Sequence, residues 1–317
     1  MFWSTPNFST NEIPDLTGKI AIITGSSNGL GKVSALEMAR KGCHCVLACR
    51  SEAKAQAAIA EIVQETGNDK VEFMALELGS LSSVKSFADA YLAKFDRLDI
   101  LLNNAGVAGP ESFVLTDDGI ENTVAVNFVC TAYLTLLLLP ILEKSAPSRV
   151  VSVSSEAHKY PFGWSFNPKD MEDESKFGRI MATYGRSKLS LTLFSNELSK
   201  RLRAKGVESV YVNQVHPGAV ETNMLMKMKE LLGATLYRMF TAIMGALTPE
   251  EGALTQLYAA TSPDIESKNI HGTYYVPIAK VASVSTAAQS SDNAKLVWDY
   301  LQDILVEKVP GYQRSTL

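Results

Sequence analysis

Short apolar runs alternate with longer amphipathic stretches along most of this chain, and the two periods mark different elements. Ile20, Ala21, Ile22 and Ile23 form a continuous apolar run between Gly18 and Gly25, the pattern of a strand buried on both faces. The stretch through Ser34, Leu36, Met38 and Ala39 predicts a helix that stops at Gly42. A second strand is predicted over Cys45–Cys49, then an alanine-rich helix from about Glu52 to Thr66 that ends near Gly67. Val71–Leu78 reads as a third strand, Val84–Phe95 as a helix, and Ile100–Leu102 and Val150–Val153 as further strands. Leu191, Phe194, Leu198 and Leu202 recur at helical spacing on a long helix that carries Tyr184 and runs toward Gly206. Ser209–Val215 gives another strand and Gly272–Val276 the last. Strands alternating with helices of this length predict an α/β fold, a doubly wound parallel sheet with right-handed crossovers. No proline- or glycine-rich linker and no internal repeat interrupts the chain, so residues 1–317 read as a single domain. From Ser283 the chain is rich in Ser, Ala and Asp before Leu296, Trp298 and Leu301. That composition predicts a C-terminal extension, 283–317, of loop and short helix packed on the surface.

One apolar stretch needs separate treatment. Between Glu121 and Glu143 there is no formal charge, and Val124, Val126, Phe128, Val129, Leu134, Leu136 to Leu139, Ile141 and Leu142 all fall within it. A bilayer span needs about 20 predominantly apolar residues. Here Asn122, Thr123, Asn127, Thr131 and Thr135 interrupt the run and Pro140 stands near its end, which predicts a buried helix of a soluble fold. Met1 to Pro14 has neither a basic leader nor an apolar core, so no secretory signal is expected there.

Composition adds exclusions. A chain of 317 residues with 46% hydrophobic content can bury a substantial core. The net charge of −4 and the absence of a long basic run argue against a nucleic-acid binder. The four cysteines, Cys43, Cys45, Cys49 and Cys130, have no zinc spacing and form no dense disulfide framework. They read as buried thiols in a reducing, cytoplasmic setting, and no metal site is expected.

Two motifs carry chemistry. Thr24-Gly25-Ser26-Ser27-Asn28-Gly29-Leu30-Gly31 follows an apolar strand and opens a helix. In that context glycines let backbone approach a pyrophosphate, and the helix N-terminus supplies amide donors. An ordinary glycine-rich turn is the alternative. Tyr184 and Lys188 lie one helical turn apart on one face. A nearby ammonium favours phenolate and would bring a tyrosine closer to neutral proton exchange. Helices also carry such pairs by chance on solvated faces.

These motifs, with Asn103-Asn104-Ala105-Gly106, Ser155 and Pro217-Gly218, occur in an order that resembles the short-chain dehydrogenase/reductase family over roughly Leu16 to Val276. Within it, Ala48-Cys49-Arg50, Asn103-Asn104-Ala105-Gly106-Val107, Val153-Ser154-Ser155-Glu156-Ala157-His158 and His216-Pro217-Gly218 are most similar to the retinol-dehydrogenase-like reductases, a group that includes proteins like the WW-domain oxidoreductases. The resemblance implies a Rossmann-type sheet with a helical substrate lid at 219–250. It implies that Tyr184 exchanges a proton with the substrate oxygen and that Lys188 lowers its pKa and bonds the nicotinamide ribose. Ser155, rather than Ser154, would hold the reacting oxygen. Asn127 would hold a relay water through its backbone; a polar residue bonded inside a buried helix is the alternative. Gly25, Ser27, Asn28, Gly29, Leu30, Gly31, Arg50, Glu77, Leu78, Asn104, Ala105, Gly106, Pro217, Gly218, Val220 and Thr222 fall at cofactor-binding positions, with Tyr184 and Lys188.

Cofactor choice rests on the end of the second strand. An acid there would bond the ribose hydroxyls and repel a 2′-phosphate, whereas Arg50 offers a guanidinium that suits a phosphate. NADP(H) is expected over NAD, unless Arg50 is only a solvated residue entering a helix. Glu77 stands where the family usually places an aspartate on the adenine amine.

The substrate is expected to be a lipophilic small molecule. Tyr160, Phe162, Trp164 and Phe166 lie between Ser155 and Tyr184; Met224, Met226, Met228, Met239 and Met244 follow Pro217-Gly218, with Leu231, Leu232, Leu236, Phe240 and Ile243. Lys227, Lys229 and Arg238 permit shallow membrane contact without favouring it. Thr248-Pro249-Glu250-Glu251 reads as a capped helix start. His158 reads as solvated or bonded to backbone. The Glu121–Glu143 helix and the Tyr184 helix could pair in a homodimer. The leading function is an NADP(H)-dependent oxidoreductase acting on a carbonyl or alcohol. A non-catalytic dinucleotide sensor or scaffold and an epimerase or dehydratase are the alternatives.

Overall fold

A computed structural model of the chain describes residues 8–108, 112–159, 166–177, 180–220 and 246–317. Its strands are β1 (Ile20–Thr24), β2 (His44–Cys49), β3 (Val71–Ala75), β4 (Ile100–Asn103), β5 (Ser148–Val153), β6 (Val210–Val215), β7 (Tyr274–Val276) and β8 (Lys280–Val281). They form one sheet ordered β3-β2-β1-β4-β5-β6-β7-β8. Every pair is parallel except β7 with β8. The longer helices are α1 (Gly29–Arg40), α2 (Glu52–Thr66), α3 (Leu81–Lys94), α4 (Asn122–Lys144), α5 (Ile180–Ala204), α6 (Pro249–Thr261) and α7 (Ser291–Lys308).

Successive strand residues feed opposite layers, as the pleat requires. Ile22, Val46 and Leu101 join a core with Tyr91 of α3, Tyr133 of α4, Phe194 of α5 and Trp298 of α7. Ile23, Leu47 and Leu102 join the other core, with Met38 of α1, Ile62 of α2 and Leu257 of α6. This is the doubly wound parallel sheet expected from the alternating pattern. Strand order reverses between β1 and β4, and the crevice at their C-terminal ends is where such sheets bind ligands.

Three expectations change. The third strand ends at Ala75, not Leu78, because its neighbour β2 ends at Cys49 opposite Ala75. Gly272–Val276 does not supply the last strand: β8 turns back and pairs antiparallel with β7. The C-terminal extension is not a surface addition. Its main helix α7 runs for 18 residues and buries Val297, Trp298, Leu301 and Leu305 in the core. The apolar stripe of α5 packs inside the molecule. That face is covered within the chain, with Phe194 stacked on Trp298 at 5.8 Å and Leu198 and Leu202 fully buried.

The capping box at Thr248 is present as read: its Oγ1 accepts the Glu251 N–H at 3.2 Å and Glu251 reaches back at 3.0 Å. Helix α4 is long and apolar enough to cross a membrane, but 83% of its most apolar window is buried inside the fold. The four cysteines are free and buried.

Candidate active site and cofactor cleft

The β1–α1 turn is shaped by three glycines with three different constraints. Gly25 has φ +66°, and a Cβ there would lie 3.0 Å from Ala105. At Gly31 a Cβ would meet Asn104 Nδ2 at 2.5 Å and Gly25 O at 2.7 Å. Gly29 has φ +54°, yet nothing lies within 4 Å of its missing side chain; that side of the turn is open for a ligand. Helices α2, α3, α6 and α7 each have a Ser or Thr side chain capping the first turn. Asn28, the N-cap of α1, makes no such bond. An uncapped N-terminus at an open glycine turn suits a phosphate group. The residues present therefore fit a dinucleotide.

A second loop closes against this turn. Asn104 Nδ2 donates to Thr24 O at 2.9 Å, and the Ala105 N–H donates to Thr24 Oγ1 at 3.0 Å. Gly106 comes next, and its lack of a side chain has a clear reason. A Cβ there would lie 3.0 Å from Lys188 Nζ and 3.3 Å from Asn127 Oδ1. Glycine turn, Asn104-Ala105-Gly106 and Lys188 are thus contiguous.

Asn127 sits in a π-helical turn, Ala125–Val129, within α4. Cys130 N–H reaches back to Ala125 O across this turn, which inserts one residue into the helix, a feature common at functional sites. The Asn127 side chain is fully occupied. Oδ1 accepts the Val107 N–H at 2.8 Å, while Nδ2 donates to Val107 O at 2.8 Å and to Ser187 Oγ at 3.0 Å. It ties the Asn104–Val107 loop to α5 just before Lys188.

Of the two serines at the end of β5, only Ser155 faces the tyrosine. Ser154 Oγ is engaged with Thr192 Oγ1 at 2.8 Å, whereas Ser155 hydrogen-bonds Tyr184. Lys188 Nζ donates to Val153 O at 2.8 Å and lies 5.9 Å from the Tyr184 ring centroid. The electrostatics differ from the expectation of a depressed phenol. Burial pushes the Tyr184 phenol up, and the Ser155 hydrogen bond pulls against it. Lys188 is itself pushed down to about 8 by burial, which weakens its pull on the neighbouring phenol at alkaline pH.

Arg50 extends from the end of β2 with its side chain 82% exposed, its guanidinium 3.4 Å from Glu77 Oε2. Glu77 Oε1 accepts the Gly79 N–H at 2.9 Å, so this carboxylate serves its own turn and Arg50. Leu78 is buried in the core. Ser27 and Pro217 are half-buried, Gly218 has φ +90°, and Leu30 packs where a Cβ on Gly252 would lie 2.9 Å from it. Val220 is buried and bridges Leu247. Thr222, the methionines and apolar residues from Met224 to Met244, Lys227, Lys229, Arg238, and Tyr160, Phe162 and Trp164 lie outside the described residues. Phe166 packs partly buried against the core.

Gln256 was not singled out by the sequence. From α6 its Nε2 donates to Ser34 Oγ at 2.7 Å and to Asn104 Oδ1 at 3.2 Å, locking α1 and the second loop together. A lone glutamine among Ala253, Leu257 and Ala260 on α6 was the available signal.

The family model described as short chain dehydrogenase matches residues 19–166. An uncharacterized oxidoreductase of Schizosaccharomyces pombe is 38% identical over 87% of this chain and 82% of its own length. Human retinol dehydrogenase 12 is 37% identical over 92% of this chain and 87% of its own. The chain belongs to the short-chain dehydrogenase/reductase family. A solved structure from Mycobacterium paratuberculosis superposes with a TM-score of 0.74 at 29% identity, covering 95% of this chain and 97% of that one. As a short-chain dehydrogenase/reductase, the protein is an oxidoreductase on a fold that binds a nicotinamide dinucleotide. The crevice between β1 and β4 is where the fold places that ligand.

Proposed function

We propose that the protein is an NADP(H)-dependent oxidoreductase that interconverts a carbonyl and an alcohol on a lipophilic small molecule. The observation that carries this reading is the convergence of Ser155, Tyr184 and Lys188 beside Gly106, in continuity with the open glycine turn. The nicotinamide supplies or accepts the hydride when bound. The chain's own residues manage position and one proton. Ser155 orients the reacting oxygen, Tyr184 donates or accepts the proton, and Lys188 holds the ribose and stabilises negative charge on the phenol. Asn127 keeps the loop and α5 in register and offers its backbone to a relay water. Gly25 to Gly31, Asn104 to Gly106 and Pro217 to Val220 hold the dinucleotide. Segment 219–250 serves as lid; its described ends meet where the Leu247 N–H donates to Ala219 O at 2.8 Å. The buried free thiols suit a cytoplasmic setting. The names of relatives such as retinol dehydrogenases 12 and 14 support a long apolar alcohol or aldehyde as substrate.

Consumption of NADPH and NADH against a panel of lipophilic aldehydes and ketones tests the reading. NADPH oxidation stoichiometric with alcohol formed is the expected result. Tight NADPH binding with no turnover on any compound would instead make the protein a dinucleotide sensor.

Arg50 gives a sharper expectation about cofactor choice. A charge-assisted hydrogen bond to a phosphate is worth about 1.5–3 kcal/mol, so Arg50→Ser should raise the KM for NADPH roughly 10- to 100-fold and leave that for NADH nearly unchanged. The surface pair with Glu77 contributes little against this. Equal movement of both KM values would show that Arg50 does not read the 2′-phosphate.

A further inference from the structure

Ser155 is held by the short 3₁₀ turn that follows it, Glu156–Lys159. Its Oγ accepts the Ala157 N–H at 3.2 Å, and its carbonyl accepts the His158 N–H at 3.2 Å. The same carbonyl takes a shorter bond, 2.6 Å, from His158 Nδ1. A carbonyl can only accept, so the His158 ring must carry its proton on Nδ1 there. Nε2 is then the acceptor, and it receives the Ser285 N–H at 3.2 Å. Ser285 caps the single turn Thr286–Gln289 at the entry to α7. The imidazole is 1% exposed and lies edge-on to Tyr274 of β7, with centroids 5.0 Å apart.

The opposite edge of the same peptide is held too. The Glu156 N–H donates to His216 Nδ1 at 3.3 Å, and His216 immediately precedes Pro217-Gly218 of the cofactor loop. The carbonyl and N–H of one trans peptide point in opposite directions. Two imidazoles therefore pin the Ser155–Glu156 peptide plane from both sides. Fixing that plane fixes the course of the backbone after Ser155, and with it the Ala157 N–H that holds the Ser155 hydroxyl. The contacts in which a ring nitrogen accepts, Glu156 N–H to His216 Nδ1 and Ser285 N–H to His158 Nε2, need neutral rings. Burial keeps them so, pushing His216 down to about 4 and His158 below the usual histidine range.

We infer that His158 is a positioning residue for Ser155, and that through it the C-terminal extension 283–317 sets the geometry of the proton-transfer site. This rests on the reading of Ser155 and Tyr184 as that site. The link spans 127 residues of sequence and makes the placement of the extension a condition of turnover.

Two substitutions at Ser285 isolate the link in the full-length protein. Ser285 has φ −61°, which a proline ring adopts without strain. S285P and S285A both lose the capping hydroxyl, but only S285P loses the N–H that reaches His158. Loss of one neutral hydrogen bond corresponds to about 3- to 10-fold. That drop in kcat is expected for S285P relative to S285A, with the NADPH dissociation constant equal in the two. H158N keeps a donor near the Nδ1 position but cannot reach Ser285, and it should show the same kcat loss. The chain has four histidines, so ring ¹⁵N shifts can be assigned. They should show His158 as the Nδ1–H tautomer in wild type, S285A and S285P alike, because the Ser155 carbonyl fixes it, with the Nε2 shift moving only in S285P, where its donor is lost. Equal kcat in S285P and S285A, wild-type kcat in H158N, or an Nε2–H tautomer in wild type would each overturn the inference. Absence of wild-type turnover on every carbonyl tried would overturn the proposed function instead, and the ring ¹⁵N shifts would still report on the link itself.

Discussion

Replacing Tyr184 by phenylalanine is expected to lower kcat by roughly 10²- to 10⁴-fold, the range for loss of a positioned proton donor, while the dissociation constant for NADPH stays nearly unchanged. The substitution keeps the ring and removes one hydroxyl, the one bonded to Ser155. Tyr184 is only 8% exposed, so the packing around its ring is preserved and the loss falls on the chemistry. The pH dependence follows from the direction of its shift. Burial raises the phenol above its ordinary value, so it stays protonated and able to donate through neutral pH. Carbonyl reduction should therefore be flat across neutral pH and fall only on the alkaline side. Alcohol oxidation needs the ionised phenol as base, and should rise with pH over that same alkaline limb. Steady-state kinetics in both directions, beside NADPH titration by fluorescence, measure all three quantities. A Tyr184→Phe protein that kept more than about a tenth of wild-type kcat would remove Tyr184 from the acid role.

The elements that place this site were largely legible in the sequence, because their determinants are local. Buried parallel strands declare themselves as apolar runs, and Ile20–Thr24 and His44–Cys49 did so within one residue. The glycine turn and the Tyr184–Lys188 spacing are also short-range, since each must work within one turn of backbone. Features that depend on tertiary burial were hidden. Nothing in the sequence around Asn127 marks a π-helical turn, or the bonds from Asn127 to Val107 and Ser187 that are made there. The region of helix α7 reads in sequence as a short helical stretch at Leu296, Trp298 and Leu301 after a segment rich in Ser, Ala and Asp. The stripe Ala294, Val297, Trp298, Leu301, Leu305 was nevertheless periodic, and burial against α5 decides the matter. His158 was read as a loop histidine, and one of its two partners proved to be backbone from the far end of the chain. The charge state of Lys188 was hidden for the same reason: its surroundings come from β5, the Gly106 loop and α4.

That lysine should show opposite effects on stability and turnover. Lys188→Met is expected to make the folded protein more stable at pH 7 while reducing kcat by a factor comparable to loss of the tyrosine hydroxyl. The ammonium is 3% exposed and donates to a carbonyl, Val153 O, at 2.8 Å. Burial alone moves its pKa from 10.5 to about 8. That gap corresponds to about 3 kcal/mol, an order-of-magnitude penalty on the charged native form. The sign follows from proton binding. Between about 8 and 10.5 the unfolded chain holds the proton more often than the folded one, so wild-type stability rises as pH climbs through that window. Below it both states are protonated and the full penalty remains. Methionine removes the charge at similar length, leaves Val153 O short of one donor at a cost of about 1 kcal/mol, and so should gain about 1–3 kcal/mol at pH 7. Tm should rise by a few degrees at pH 7, and the advantage should shrink toward pH 10.5. Thermal unfolding of both proteins at pH 7 and pH 10, with turnover measured in parallel, tests this. A variant less stable than wild type at pH 7 would mean that the ammonium is better solvated than its burial implies. The expected pairing has a direct physical reading: a cation that destabilises the fold and whose removal stops turnover is there for the reaction. Its position beside Tyr184 and against Gly106 is where a developing phenolate would need it.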